Sequence, residues 1–178
     1  RSLRPSPGEA RAALRARHGV LAGELAVAAL PSILEGVSKP VPQDEALVTY
    51  ARRLNRADAP LDFRQPAAVL GQRVLALEGW PGSTFEHRGV TIKVGAARGE
   101  DSAASGTPGQ ILSADRSGVR VACAQGVLVL TQLQRPGGKM LPAGEFLAGF
   151  PLSVGEILAS AEMPAFVATA PFPRAAKA

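Results

Sequence analysis

Between Ser83 and Thr131 turn-forming residues cut the chain into short apolar runs, and this limits the possible fold more than any other feature. Ser83-Thr84-Phe85 leads into a turn at His87-Arg88-Gly89, after which Val90, Ile92 and Val94 alternate with Thr91 and Lys93. Alternation at period two sends one set of side chains to a core and the other to solvent, which is a strand pattern. The Gly-, Ala- and Ser-rich stretch from Arg98 to Pro108 reads as a loop. Three more runs follow, Ile111–Ala114, Val119–Cys123 and Val127–Thr131, with turns at Asp115–Gly118 and Ala124–Gly126. About five short strands predict a small antiparallel barrel, since a sandwich needs roughly seven.

Helical spacing flanks this region. Val69, Leu70, Val74 and Leu77 predict a helix over Pro66–Leu77, ended by Gly79, Pro81 and Gly82. Ala143–Gly149 reads as a short closing helix. Towards the N-terminus, Ser6-Pro7-Gly8-Glu9 has the form of a capping box. Leu14, His18, Leu21, Leu25 and Ala29 then recur at three and four residues, with Gly19 and Pro31 expected to interrupt and Gly36 to cap. Nothing nearby reads as a sheet for that stripe to cover, so its partner is expected in a missing domain or another chain. The expected organisation is a helical region over residues 1–38, a basic linker over 39–64, a β domain over 65–158 and a Pro/Ala-rich tail over 159–178. The chain begins at Arg1 without Met, as expected of a processed or truncated product, and Arg1–Arg17 lacks the Ser richness and cleavage site of a transit peptide.

The charge is basic, with 20 Lys and Arg against 15 Asp and Glu, and 16 of the 20 cations are Arg. Arginine presents a planar fork suited to phosphate. An Ala-, Gly- and Arg-rich composition also follows from genomic base composition, so position carries the argument; Arg52, Arg53 and Arg56 fall within five residues. Aromatic residues make up only 4 %, which argues against base-stacking sheets and aromatic cages. One cysteine, Cys123, excludes a disulfide framework or a cysteine-rich metal site and reads as a buried, inert thiol. No apolar run approaches a membrane span.

Nucleophile elbows, phosphate loops and metal-ligand spacings are missing from the sequence. Gly106-Thr107-Pro108-Gly109 lacks the Lys-Ser/Thr tail of a phosphate loop and reads as a turn. Asp58 and Asp62 read as solvated ion pairs with Arg56 and Arg64. His18 is expected to pack at the edge of its helix and His87 to sit in a turn, neither with an acid–base partner. No catalytic residue and no metal site are expected on this chain.

Several segments together resemble one family. Thr49-Tyr50-Ala51-Arg52-Arg53-Leu54-Asn55-Arg56-Ala57-Asp58, followed by Leu61-Asp62-Phe63, resembles the interdomain linker of methionyl-tRNA formyltransferases, with Arg53 and Arg56 where the family carries Lys and Phe63 where it carries Trp. Arg73-Val74 with Trp80-Pro81-Gly82, Pro108-Gly109 with Leu112, and Val121-Ala122-Cys123 with Gly126 and Leu128 are similar to the family's next segments. So are Leu133-Gln134 with Pro136-Gly137-Gly138-Lys139-Met140, and Phe146-Leu147 with Gly149. The opening helix is similar to the last helix of the catalytic domain, and the resemblance spans about residues 5 to 158.

The resemblance implies a mainly β fold with flanking helices: an OB-like five-stranded barrel preceded by a helical remnant of an α/β formyltransferase domain. It implies formyl transfer from 10-formyltetrahydrofolate to the amino group of initiator Met-tRNA. The catalytic Asn, His and Asp motifs are expected upstream of Arg1, so no cofactor is expected on this chain, which should be inactive alone. The implied partners are the phosphate backbone of initiator Met-tRNA and the catalytic domain, with neither membrane nor metal, in a bacterial cytoplasm or a mitochondrial matrix. A basic barrel can follow a phosphate backbone without reading bases, and the expected contacts are Arg52, Arg53, Arg56, Arg73 and Lys139, then Arg88 and Lys93. Two alternatives stand beside this reading. One is a non-catalytic relative binding RNA or protein in an assembly such as an organellar ribosome. The other is a folate-using formyltransferase or hydrolase acting on a small amine, for which the linker arginines would have no use.

Overall fold

A computed structural model describes residues 2–102 and 106–173. The helices are α1 (Arg11–Leu34), α2 (Ala67–Ala76) and α3 (Ala143–Gly149). The strands are β1 (Tyr50–Ala51), β2 (Ser83–His87), β3 (Val90–Glu100), β4 (Ile111–Asp115), β5 (Gly118–Ala122), β6 (Val127–Gln134), β7 (Leu141–Pro142) and β8 (Val167–Ala168), with 3-10 turns at Glu45–Leu47 and Arg56–Asp58. The chain divides into two compact units, Arg1–Leu54 with Ala165–Ala178, and Asn55–Pro164.

In the first unit α1 begins later than the expected cap. Gly8 has φ +74, in the left-handed region that a helix cannot continue through. Ser6-Pro7-Gly8-Glu9 therefore closes a separate turn, in which the Ser6 amide donates to the Glu9 carboxylate at 2.8 Å and Arg17 reaches back to it at 2.6 Å. Gly19 and Pro31 do not interrupt the helix, and the Gly36 amide closes its end on the Ile33 carbonyl at 3.1 Å. No residue of α1 is buried: Leu25 and Ala29 of the apolar stripe are exposed, and Leu14 and Leu21 are only partly covered. His18 is exposed as well, with its Nδ1 3.1 Å from the Leu14 carbonyl. The tail departs from the expected low-complexity segment: β8 pairs antiparallel with β1, Tyr50 opposite Ala168 and Ala51 opposite Val167.

The second unit holds the sheet, whose order is β2-β3-β6-β5-β4, antiparallel throughout, with β7 on β6. The mainly β fold with flanking helices is as expected, and each of the five predicted runs is a strand. Ile92, Val94, Val119, Val121, Leu128, Leu130 and Leu133 point into one core with Phe85 and Ile111. Helix α2 covers it with Ala67, Leu70, Gly71 and Val74, at the spacing of one helical face. Val69 falls outside that face and is exposed.

This unit starts at Asn55, ahead of the expected boundary at residue 65. The reason is burial: Leu61 and Phe63 are fully enclosed, and Thr84 exchanges backbone hydrogen bonds with Ala59 and Leu61 at 2.8 and 2.9 Å. Asp58 and Asp62 are buried too, not solvated. The Asp58 carboxylate accepts from the Asn55 amide at 2.7 Å, while Asp62 pairs with Arg64 at 2.7 Å. One segment bridges β2 through Glu86–Ala159 and the residue before β4 through Gln110–Ile157, so each outer edge is covered at one point.

Two further departures have plain physical causes. Strand β3 runs on through Arg98-Gly99-Glu100, where a loop was expected, and pairs with β6 as far as Val127. Its small residues serve the approach of α2: a Cβ on Gly71 would lie 2.9 Å from the Gly99 amide nitrogen, and one on Gly99 would overlap the Ala67 carbonyl. His87 ends β2 rather than occupying the turn, which is Arg88-Gly89 with φ of 49 and 74. The imidazole is buried, its Nε2 3.3 Å from a Glu156 oxygen, and Phe150 meets it edge-on at 5.9 Å.

Gly99→Ala should lower stability by about 1–3 kcal/mol, the usual range for forcing a methyl into filled space; an unchanged urea midpoint would refute the close approach of α2. Burial pushes the His87 imidazole below its ordinary value, with the Glu156 carboxylate opposing and Arg88 reinforcing. The folded chain then holds that proton less readily than the unfolded chain, so stability is complete above the ordinary histidine range and is lost as pH falls through it. We expect the melting temperature to fall between about pH 7.5 and 5.5, above the carboxylate range, and His87→Gln to flatten the fall. An equal fall in the variant would assign the effect elsewhere.

Candidate nucleic-acid interface

The seven cations expected to contact phosphate divide between the two units, with Arg52 and Arg53 in the first and the other five in the second. Arg52 is bound into its own unit. Its Nε donates to the Ala165 carbonyl at 2.9 Å, its Nη1 to the Arg53 carbonyl at 3.1 Å, and its guanidinium lies 5.2 Å from the centre of the Phe166 ring. Arg52 thus helps hold the β1–β8 ribbon. Arg53 beside it is exposed.

In the second unit Arg56 opens the 3-10 turn Arg56–Asp58, and local chemistry fixes that turn. Asn55 accepts from the Ala57 amide at 2.8 Å while the Asp58 carboxylate accepts from the Asn55 amide, a reciprocal cap. Arg73, 9 % exposed, donates from Nη2 to the Asp58 carbonyl at 2.7 Å. A helix residue thus braces the turn from beneath while Arg56 stays exposed above it.

Register sets the face on which Lys93 lies and which residues flank it. Lys93 alternates with the buried Ile92 and Val94, so it points away from the core. Thr84 of β2 and Gln134 of β6 are its direct cross-strand neighbours, on the same face. Gln134 Nε2 donates to the Gly138 carbonyl at 2.6 Å and fastens the turn that carries the exposed Lys139. Thr84 lines a groove whose other wall includes Arg56. Arg56 thus shares a groove with Thr84, and Lys139 follows a turn fastened by Gln134, the two residues that flank Lys93 on its face. Arg88 stands apart at the hairpin tip, ion-paired with Glu156.

Acidic partners sort the remaining cations. Glu100 pairs with both Arg98 and Arg120, at 3.1 and 2.6 Å, and Asp62 holds Arg64. Arg56, Lys93 and Lys139 enter no ion pair among the described residues. Their charge is available to an outside anion at no loss of an internal bond. On this face Glu86 is the countercharge, accepting from the Thr91 hydroxyl at 2.7 Å.

Trp80, which the sequence reading uses only as part of a motif, lies at the surface and is 51 % exposed. The available signal is its setting between Gly79 and Pro81-Gly82, since a ring on a tight turn cannot reach the core. Burial pushes the Cys123 thiol up to about 11. Among the described residues no cluster of three or more His, Cys, Asp or Glu could hold a metal ion, and no helix is long and apolar enough to cross a membrane.

Known proteins match the same region. The family model described as the formyl transferase C-terminal domain matches residues 53–151. Methionyl-tRNA formyltransferase of Burkholderia thailandensis is 40 % identical over 152 residues, which cover 85 % of this chain and 46 % of the relative. The protein of that name from Acidovorax ebreus is 42 % identical over 163 residues, covering 88 % and 49 %. The chain thus spans about half the length of these curated relatives. A crystal structure of a HypX variant from Aquifex aeolicus shares the fold, with a TM-score of 0.59 at 23 % identity, covering 86 % of this chain and 27 % of that one. With more than half of its residues inside the matched domain, this chain belongs to the formyltransferase family through its C-terminal domain.

Proposed function

We propose that the chain is the tRNA-holding part of a methionyl-tRNA formyltransferase, and that formyl transfer to the amino group of initiator Met-tRNA proceeds on another domain of the enzyme. The observation that carries this reading is that Arg56, Lys93 and Lys139 form no ion pair among the described residues and adjoin one another through Thr84 and Gln134, inside the region that matches the family. Positive groups at intervals along a rigid surface contact successive phosphates and fix a nucleic acid in orientation without reading its sequence. Arg53, exposed on the other unit, adds a further contact, and Arg73 serves by bracing the Arg56 turn.

The implied 10-formyltetrahydrofolate does not fit the residues described here. Moving a formyl group to an amine needs a base within reach of the amine proton. Glu86, the carboxylate in the groove, is exposed and bound by Thr91, and the His87 imidazole is buried against Glu156 and Phe150. We therefore assign folate to the other domain and derive no step through it. The role of this chain is positional: it holds the tRNA body so that the aminoacyl end meets the catalytic groups elsewhere. The bacterial origin of the curated relatives supports a bacterial cytoplasmic enzyme over a mitochondrial one. The unpartnered stripe of α1 supports a neighbouring catalytic domain as its cover.

Titrating initiator tRNA at several salt concentrations tests the reading. With about four phosphate contacts, log affinity should fall against log salt with a slope of roughly −3 to −4. Changing Arg56, Lys93 and Lys139 together to Ala should flatten that slope by about two or more, whereas Arg88→Ala should leave it nearly unchanged. A triple variant with the wild-type slope overturns the placement.

A further inference from the structure

We propose that the groove on the outward face of the β2–β3 hairpin is a binding site for one unstacked nucleotide of single-stranded RNA, its base against Trp80 and its phosphate at Arg56. This deepens the tRNA reading and rests on it. The groove has a volume of about 500 Å3 and is lined by Thr84, Glu86 and Thr91 of the hairpin together with the apolar Pro60, Leu61, Pro81 and Phe85. Arg56 and Trp80 stand on loops at its sides, with Ser160 on the segment that bridges the sheet edges. That volume lies within the range of small-ligand sites and accommodates a nucleotide.

Two features name the occupant. The Trp80 indole is half exposed, and a flat ring in a groove that Pro60, Leu61, Pro81 and Phe85 also line suits the apolar face of a nucleobase. Arg56 offers a guanidinium fork, free of ion pairs among the described residues and held in place by the Asn55–Asp58 cap and by Arg73. Glu86 sets the orientation. Its charge repels phosphate from the hairpin and its carboxylate oxygens can accept from amino groups on a base edge, so the phosphate goes to Arg56 and the base to the hairpin side. One ring serves one nucleotide, in keeping with the scarcity of aromatic residues. Paired bases are shut inside their stack, so this site selects an unpaired nucleotide, which the phosphate contacts along the sheet cannot do.

Trp80 is the only tryptophan, so its emission reports on the site directly. The experiment uses the whole chain with a short single-stranded RNA of cytidine and adenosine and with an RNA duplex of equal length. Unlabelled RNA is used for emission and end-labelled RNA for anisotropy. The single strand should quench emission saturably by about half, and the duplex should raise anisotropy while leaving emission unchanged. Trp80→Ala should weaken single-strand binding about tenfold and Trp80→Phe by less than about threefold, with duplex binding unaffected in both. Arg56→Ala should weaken both RNAs. Single-strand binding without quenching, and unmoved by Trp80→Ala, overturns the nucleotide site and leaves the phosphate contacts standing. Quenching by folinic acid but not by RNA also overturns it. If neither RNA changes the anisotropy, the tRNA reading fails and this site with it.

Discussion

Strand β3 carries more of the second unit than any other element. It pairs with β2 on one side and β6 on the other, takes the backbone of α2 against Gly99, and alternates Ile92 and Val94 inward with Thr91 and Lys93 outward. A strand has only two faces, so fixing Ile92 and Val94 in the core leaves Lys93 no place but the surface. The same constraint passes sideways through the register. Thr84 and Gln134 must share the face of Lys93, and Gln134 holds the turn of Lys139. The core and the basic surface are thus two consequences of one pleat.

Around this sheet, apparently spare polar groups act as braces. Arg73 is nearly enclosed and ends on the Asp58 carbonyl, so a buried cation of α2 braces the turn that carries Arg56. Glu156 meets both Arg88 and His87 on the segment that bridges the sheet edges. Arg52, on the other unit, is drawn to Ala165 and Phe166. Each such contact engages a charge inside the protein, so the surface proposed for RNA is smaller than the list of basic residues and more sharply located. A rigid fork that is already oriented loses less freedom on meeting a phosphate than a loose one does.

The sequence determined a good deal by itself. Strand alternation between Val90 and Val94, the turns at Arg88-Gly89 and Ala124–Gly126, and the short helix Ala143–Gly149 are local patterns, and local sterics write them directly into the chain. The family is also readable there, because its motifs recur in order along the chain. What local pattern could not give was decided by long-range contact. Arg98-Gly99-Glu100 has loop composition and becomes strand because α2 needs a backbone without a side chain beneath it. Leu61 and Phe63 resemble linker and become core because Leu61 bonds to β2 and Phe63 to Ala124 and Ser160. Among the seven cations, composition makes all alike. Tertiary structure distinguishes the braced Arg73 and the paired Arg88 from the open Arg56, Lys93 and Lys139, because an ion pair or a buried carbonyl depends on residues far away in sequence.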